Sequence, residues 1–135
     1  MRYLLDTNTC SRIQADDPSV LSRVAALPRG AALCTSVVVQ GEILYGAYRQ
    51  PEPRRGRLLR GFAVFLDTVP DVLPITPAVA EWYARLKAHL AGRGAPIPAN
   101  DMWIAATALE LGLVLVTDDA HFDRVPGLTV ENWLL

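Results

Sequence analysis

Short apolar runs alternate along the chain with longer segments whose apolar positions recur every three or four residues. The short runs predict strands, and the longer segments predict helices. The predicted strands are Arg2–Leu5, Ala31–Thr35, Asp71–Ile75, Leu113–Val116 and the edge pair Thr129–Val130. Strands that alternate with helices favour a parallel sheet covered on both sides. We therefore expect an α/β fold, a three-layer α/β/α sandwich with a central, mostly parallel sheet.

Capping residues and apolar stripes define the helices between these strands. Thr76 is typical of a helix start and Gly112 of a helix end. In the helix of the arginine-rich segment, we expect Leu58, Phe62 and Phe65 to face the core. The predicted helices follow the turn at Asp16–Ser19, run from Ser36 through Tyr48, occupy the segment after Pro53, follow Thr76, and span Asp101–Leu111.

The composition fits a single domain over residues 1–135. The chain is 51% hydrophobic and 20% charged with a formal net charge of -1, which excludes an intrinsically disordered chain. No apolar run approaches the ~20 residues that span a bilayer. Asp6 interrupts the N-terminal apolar run, unlike a secretory signal. With only Cys10 and Cys34 as cysteines, we expect a cytoplasmic protein with reduced thiols.

Arginine dominates the positive charge of the chain. It supplies twelve of the thirteen cationic side chains, and five arginines crowd into residues 49–60 with Glu52 as the single acid. A guanidinium group binds phosphate through paired hydrogen bonds. The basic segment is therefore compatible with nucleic-acid binding, and also with a solvated helix face.

Acidic side chains lie where the predicted strands end or where neighbouring helices begin. Asp6 follows the first strand, and Asp118 and Asp119 follow the aliphatic strand near the C-terminus. Asp101 lies in the first turn of its helix, and Glu42 lies within the helix after the second strand. Because ligands of open parallel sheets bind beyond the carboxyl ends of the strands, we expect these acids to meet at one edge.

Such a cluster is unfavourable unless a cation holds it together. Two carboxylates about 4 Å apart repel by roughly 4 kcal/mol at an effective dielectric constant of about 20. Oxygen ligands of this kind suit Mg²⁺ or Mn²⁺ rather than zinc or copper. Each acid also has a local interpretation as a helix cap, a first-turn residue or a turn residue. Glu42 is the exception, because it lies in an otherwise apolar stretch of helix.

Four motifs follow one another in a specific order and spacing. They are Leu4-Leu5-Asp6-Thr7-Asn8, residues 36–46 (SVVVQGEILYG), residues 101–108 (DMWIAATA), and residues 115–119 (LVTDD) with His121-Phe122. Together they resemble a PIN-domain ribonuclease, and most closely the VapC toxins of bacterial type II toxin–antitoxin pairs. The tail over residues 124–133 is also typical of these toxins, so the resemblance covers nearly the whole chain.

The resemblance implies a PIN-like fold and a metal-dependent endoribonuclease. The acids of the family correspond to Asp6, Glu42 and Asp101, with Asp119 as the fourth. One or two Mg²⁺ or Mn²⁺ ions held by these residues would activate a water for in-line attack, leaving a 5′-phosphate and a 3′-hydroxyl. Glu42 would orient that water or bind a second ion. Supporting residues that stabilise the Asp6 loop or hydrogen-bond a carboxylate are expected at Thr7, Asn8, Ser36 and Thr117.

The position of the fourth acid stays open at this point. The T-x-D form of the family motif favours Asp119, with Asp118 as the alternative and Asp123 as a more distant third. A second form of the motif would place an acid immediately before Phe122, where this chain has His121. A nitrogen ligand is unnecessary beside hard carboxylates, so His121 is not expected to be a ligand.

The resemblance also implies partners. These are an RNA substrate, with tRNA favoured, a VapB-type antitoxin that blocks the site, and a second copy of the chain in a homodimer. The basic segment would contact either the RNA backbone or the antitoxin through Arg54, Arg55, Arg57 and Arg60. The alternative function is a catalytically inactive PIN-fold module that acts only by binding RNA or protein.

Two other classes of α/β protein fit the sequence poorly. A haloacid-dehalogenase-type phosphotransferase needs a second acid where this chain has Asn8, and a receiver-type module needs a lysine after the last strand, whereas Lys87 is the only lysine. Trp103 adjoins Asp101 and could stack on a base, but packing is the favoured interpretation. His89 is expected to face solvent.

Overall fold

The computed structural model describes residues 1–134, which contain five strands and six α-helices. The strands are β1 (Arg2–Leu5), β2 (Ala32–Ser36), β3 (Val72–Leu73), β4 (Val114–Val116) and β5 (Val130–Glu131). The helices are α1 (Thr7–Gln14), α2 (Pro18–Ala25), α3 (Val37–Tyr48), α4 (Arg54–Thr68), α5 (Pro77–Gly92) and α6 (Ala99–Leu111). A 3₁₀ turn covers Ala120–Arg124.

The strands form one sheet in the order β3-β2-β1-β4-β5, and every neighbouring pair is parallel. The predicted α/β sandwich is confirmed, with a sheet that is wholly rather than mostly parallel. From β1 the chain builds outward through β2 and β3, and then returns to add β4 and β5 on the other side. The strand order therefore reverses between β1 and β4, the kind of switch point at which open α/β sheets bind ligands.

The middle of the sheet is buried from solvent. Leu4 and Leu5 of β1 and Leu115 and Val116 of β4 are fully buried. Each side chain of this kind contributes roughly 1.5–3 kcal/mol when it is removed from water. Because β1 and β4 are buried on both faces, the residues that immediately follow them are held in fixed positions.

Local capping follows the sequence predictions. The Ser36 hydroxyl accepts a hydrogen bond from the Val39 amide at 3.2 Å at the start of α3, and Thr76 does the same for Val79 at the start of α5. Gly112 ends α6 in the left-handed conformation, with φ 64°. A side chain would be strained there, which explains the glycine.

The sequence predictions for Leu58 and for the length of the third strand were wrong. Leu58 does not face the core, since it is 37% exposed, whereas Phe62 and Phe65 on the same helix are buried. Leu58 instead lines an open groove between α1, α3 and α4. The third strand is limited to two residues because Pro74 follows it and has no N–H to extend the ladder. Within residues 1–134, no helix is both long and apolar enough to cross a membrane.

Candidate active site

The central pair of strands places the first elements of the site side by side. Leu5 pairs with Val116, so Asp6 and Thr117 are the next residues along their respective strands. The Asp6 amide donates a hydrogen bond to the Val116 carbonyl at 3.1 Å. The parallel register thus fixes the backbone of Asp6 against the loop that carries Asp118 and Asp119.

Asp6 is a buried carboxylate, 7% exposed, at the start of α1. It caps the helix by accepting a hydrogen bond from the Thr9 amide at 2.8 Å. Burial raises the pKa of Asp6, hydrogen bonds from Thr117 and Thr9 oppose that rise, and the negative charge of Asp118 adds to it. A carboxylate in this environment is stabilised by a nearby cation.

A second group of side chains with metal-ligating atoms lies at the start of α6 and in the 3₁₀ turn. Asp101, Asp119 and His121 each offer one ligand atom, and these atoms all lie within 4.8 Å of one another. The His121 Nε2 is 2.5 Å from Asp101 Oδ2, and its Nδ1 is 3.0 Å from Asp119 Oδ1. Among residues 1–134 this is the group that brings three such side chains together, and Asp6 is not a member of it.

Asp101 has an electrostatic environment that is more mixed than that of Asp6. Burial raises the pKa of Asp101, the contact with His121 lowers it, and the charges of Glu42 and Asp119 raise it further. Asp101 therefore feels two like charges and one potential cation at close range. The arrangement concentrates negative charge around Asp101.

Glu42 reaches the site from α3, and α1 orients it. The Thr7 hydroxyl donates to Glu42 Oε1 at 2.8 Å. Because Thr7 is the residue after Asp6, this bond connects Glu42 to the loop that follows β1. Glu42 and Thr7 both line the groove between α1, α3 and α4, which has a volume of about 800 Å³.

Thr117 connects the two groups. Its side chain hydrogen-bonds Asp6, and its hydroxyl accepts from the Asp119 amide at 3.1 Å. We call Asp6, Thr9, Thr117 and Asp118 the Asp6 half of the site, and Asp101, Asp119, His121 and Glu42 the Asp101 half.

The remaining predicted supporting residues have distinct places. The Asn8 amide group donates to Asp118 Oδ1 at 3.0 Å, which holds Asp118 next to the Asp6 loop. Ser36 is fully buried, and its hydroxyl caps α3 by accepting from the Val39 amide. Asn8 thus contacts an acid of the site, whereas the recorded bond of Ser36 is to the backbone of its own helix.

The structure places the two alternatives for the fourth acid beside different partners. Asp118 acts on Asp6, whereas Asp119 lies with Asp101 and His121. Asp123, the third alternative, is exposed. The family motif implies one fourth acid, but the loop of this chain presents two acids to two halves of the site.

His121 is the residue that sequence reasoning left out of the ligand set. The structure places its imidazole between Asp101 and Asp119, and its side chain is 20% exposed. The signal was its position immediately before Phe122, where a form of the family motif carries an acid. At that position this chain has an imidazole nitrogen in place of a carboxylate oxygen.

The arginine-rich segment forms the start of α4. Arg54, Arg57 and Arg60 are exposed, and the Arg55 Nε donates to the Gln50 carbonyl at 3.0 Å. Arg57 lines the same groove as Glu42. A cationic side chain and an acid of the site therefore share one concave surface.

Two interpretations of aromatic and histidine residues are confirmed. Trp103 packs against Tyr83 with ring centroids 3.7 Å apart and an interplanar angle of 7°. This stacking between α6 and α5 explains the tryptophan through packing. His89 is exposed on α5, as expected.

The donor set fits a divalent cation. The negative charges of Glu42 and Asp119 both act on Asp101, and Thr117 contacts the buried Asp6 and the Asp119 amide. Burial and like charge raise the pKa of both Asp6 and Asp101. A cation is the species that relieves both penalties at once.

The chain is similar to known proteins over nearly its whole length. A model of the PIN domain family matches residues 3–128. The tRNA(fMet)-specific endonuclease VapC of Shigella flexneri is 33% identical over 98% of each chain. VapBC2 from Rickettsia felis, solved bound to a DNA fragment from their promoter, is similar with a TM-score of 0.90 at 26% identity, covering 98% of this chain and 99% of that one.

The structure of DNA-bound VapBC from Salmonella typhimurium is similar with a TM-score of 0.87 at 30% identity over 98% of each chain. The matches extend over nearly the full length of the chain and of its relatives. The sequence motifs and the parallel sheet therefore point to the same family. This chain therefore belongs to the PIN-domain family, and within it to the VapC ribonucleases.

Proposed function

We propose that this protein is a divalent-metal-dependent endoribonuclease that hydrolyses a phosphodiester bond of RNA and is controlled by a VapB-type antitoxin. The observation that carries the proposal is the convergence of Asp101, Asp119 and His121 beside Glu42. Like charges close to Asp101 cost stability in the absence of a cation. A metal-dependent reaction explains why these acids lie close together.

The ion we propose is Mg²⁺ or Mn²⁺, held by Asp6, Glu42, Asp101 and Asp119. When bound, it supplies positive charge that activates water and neutralises the phosphodiester. The remaining chemistry belongs to the side chains. The Thr7 hydroxyl fixes the carboxylate of Glu42, which lets Glu42 orient the attacking water, and Thr117 fixes Asp6.

Mapping of the RNA ends tests the reaction. We expect cleavage in Mg²⁺ or Mn²⁺ with 5′-phosphate and 3′-hydroxyl products, and no cleavage by the Asp6→Asn variant. A 2′,3′-cyclic phosphate product contradicts the proposal, because it signals attack by the ribose 2′-hydroxyl. Stoichiometric Mn²⁺ binding without cleavage of any RNA would favour the alternative, an inactive binding module.

We propose tRNA as the substrate. The support is the relative from Shigella flexneri, which is named for its action on tRNA(fMet) and aligns over 98% of this chain. Sequencing of RNA ends after controlled expression of wild type and Asp6→Ala checks this. Cleavage confined to ribosomal or messenger RNA contradicts it.

The antitoxin partner is supported by solved VapBC structures that match nearly the whole chain. The groove between α1, α3 and α4 combines apolar residues, such as Ile43, Leu58 and Val64, with Arg57. It offers a surface for RNA or for antitoxin. A steep salt dependence of RNA affinity that flattens in the triple variant Arg54→Ala, Arg55→Ala and Arg57→Ala favours RNA. An unchanged salt slope with weakened antitoxin binding favours the antitoxin.

We also propose a homodimer and a single domain over residues 1–135 in the cytoplasm. One hydrophobic core cluster links β1, α6 and Trp133, which supports the single domain.

The homodimer is supported by exposed apolar side chains. Val37, Tyr45 and Ile75 line a hollow that also contains Glu42, and a second copy of the chain would cover this surface. Light scattering of wild type and Tyr45→Lys tests the dimer, and an unchanged monomeric mass in both contradicts it.

A further inference from the structure

His121 differs chemically from the acids that surround it. Both of its ring nitrogens lie close to carboxylate oxygens, at 2.5 Å from Asp101 and 3.0 Å from Asp119. The side chain is 20% exposed and tilts against the ring of Phe122, with centroids 5.1 Å apart. The other histidine, His89, is exposed on α5.

The backbone of the 3₁₀ turn fixes the position of His121. Asp119 begins the turn and accepts a hydrogen bond from the His121 amide at 3.1 Å. The next residue, Phe122, is 2% exposed, and the Arg124 guanidinium donates to the Pro96 carbonyl at 3.1 Å. The imidazole therefore lies between the two acids because the loop is anchored on both sides of it.

The distances suit ligands of one ion. Neighbouring ligands of an octahedral ion with bonds of about 2.1 Å lie about 3.0 Å apart. The separation of His121 Nδ1 and Asp119 Oδ1 equals that value, and the ligand atoms of Asp101, Asp119 and His121 all lie within 4.8 Å of one another. This spacing is compatible with three ligands of one ion.

We propose that His121 is a nitrogen ligand of the divalent ion and that it shifts the preference of the site from Mg²⁺ toward Mn²⁺. This inference rests on the proposed function, since the ion is that of the proposed nuclease. Carboxylates suit Mg²⁺ and Mn²⁺, whereas imidazole favours transition metals. One ring nitrogen binds the ion and the other keeps its hydrogen bond to a carboxylate, an arrangement that commonly orients ligating histidines.

The first experiment is electron spin-echo spectroscopy of the protein loaded with Mn²⁺. A directly bound imidazole nitrogen gives a ¹⁴N modulation of the Mn²⁺ signal. We expect this modulation in wild type and in the control His89→Ala, and its loss in His121→Ala and His121→Asn. Absence of the modulation in wild type, or its persistence in both His121 variants, overturns the proposal.

The second experiment is titration calorimetry with MnCl₂ and with MgCl₂. We expect His121→Ala to lose at least ~10-fold in Mn²⁺ affinity and to lose less in Mg²⁺ affinity. Loss of a residue that only supports a ligand already lowers metal affinity by about 10-fold or more, so loss of a ligand should cost at least as much. His121→Asp restores an oxygen donor, so its preference should move toward Mg²⁺. Equal losses of Mn²⁺ and Mg²⁺ affinity in His121→Ala overturn the proposal. Tighter binding of both ions by His121→Ala also overturns it, because the imidazole would then be a counter-ion that competes with the metal.

Asp101→Asn separates this inference from the proposed function. If Asp101→Asn leaves Mn²⁺ binding intact, the ion site of the proposed function is wrong, and the role of His121 fails with it. If Asp101→Asn abolishes binding while the His121 variants match wild type, only the role of His121 fails. Circular dichroism and thermal melting of every variant show that the comparison is made between folded proteins.

Discussion

The two halves of the site are built in different ways. In the Asp6 half, backbone groups of the sheet and of α1 hold a carboxylate that is 7% exposed. In the Asp101 half, side chains from a helix and a turn hold one another, and Asp119 has a side chain that is 48% exposed. The first half is thus a product of the fold, whereas the second depends on a loop and on the identity of one histidine. Variants that act on one half alone test this difference.

The largest expected effect is the loss of RNA cleavage caused by Asp6→Asn or Asp101→Asn. Each removes one negative charge from the proposed ligand set, and we expect RNA cleavage to fall by at least ~100-fold, because a bound ion contributes several kcal/mol to the transition state. Initial rates in Mg²⁺ and Mn²⁺ measure this. Asp123→Asn, which changes an exposed acid two residues after His121, is the control. Full activity in either site variant would show that its half is dispensable.

Thr117→Val breaks the link between the halves. It removes the hydroxyl that bonds Asp6 and accepts from the Asp119 amide, while it keeps the side-chain volume. We expect a 10- to 100-fold loss of activity, roughly the effect of removing an outer-shell partner. Thr107→Val is the matched control, since Thr107 is equally buried but bonds only the Trp103 carbonyl within α6. Equal activities of the two variants contradict a linking role for Thr117.

Thr7→Val releases Glu42 without removing its charge. The hydrogen bond of 2.8 Å is lost, so Glu42 gains rotamer freedom and we expect activity to fall by roughly 3- to 10-fold, corresponding to about 1 kcal/mol. Thr68→Val is the control, because Thr68 lines the same groove but bonds the Phe65 carbonyl. Single-turnover rates at saturating metal separate this effect from weaker ion binding. A loss as large as that of Asp101→Asn would mean that Thr7 does more than orient Glu42.

The smallest effect is on stability in EDTA, and its sign depends on pH. Burial raises the pKa of Asp6 above its ordinary value of 3.8, so the folded protein holds this proton more tightly than the unfolded chain. The ionised Asp6 therefore destabilises the metal-free fold increasingly as pH rises from 3.8 through the raised value, and the penalty is constant above it. Asp6→Asn, which still caps α1, removes the penalty.

We expect the melting temperature of Asp6→Asn to exceed that of wild type by a few degrees at pH 7. A change of about 1 kcal/mol in the free energy of unfolding corresponds to roughly 2–8 °C. The difference should vanish below pH 3.8. Asp101→Asn should give a smaller gain, because it also weakens the contact with His121. A gain for Asp101→Asn larger than that for Asp6→Asn would reverse the distinction between the halves.

Elements that depend on local chemistry could be predicted from the sequence. Ser36 and Thr76 cap the predicted helices, Gly112 ends α6, and the aliphatic strand before Thr117 is buried. Asp6 could be placed because it directly follows the first predicted strand. In each case a few adjacent residues carry the whole physical reason.

Features that depend on packing between distant segments could not be predicted. Leu58 fits the apolar stripe of α4 but faces a groove whose existence depends on how α1, α3 and α4 meet. His121 is one residue from Phe122 in sequence, but its contacts come from Asp101 at the start of α6. The choice between Asp118 and Asp119 likewise depends on where the loop turns, which the spacing of the motif does not specify.

The central position of β1 has a consequence for how the protein comes into being. Its neighbour β4 and the turn with Asp119 and His121 follow Asp6 by more than 100 residues. Translation runs from the N-terminus, so the surroundings of Asp6 are complete only after β4 and the turn have been made. A nascent chain that ends before β4 has no assembled site, and a cell that makes this nuclease is not exposed to its activity until that part of the chain has been synthesised.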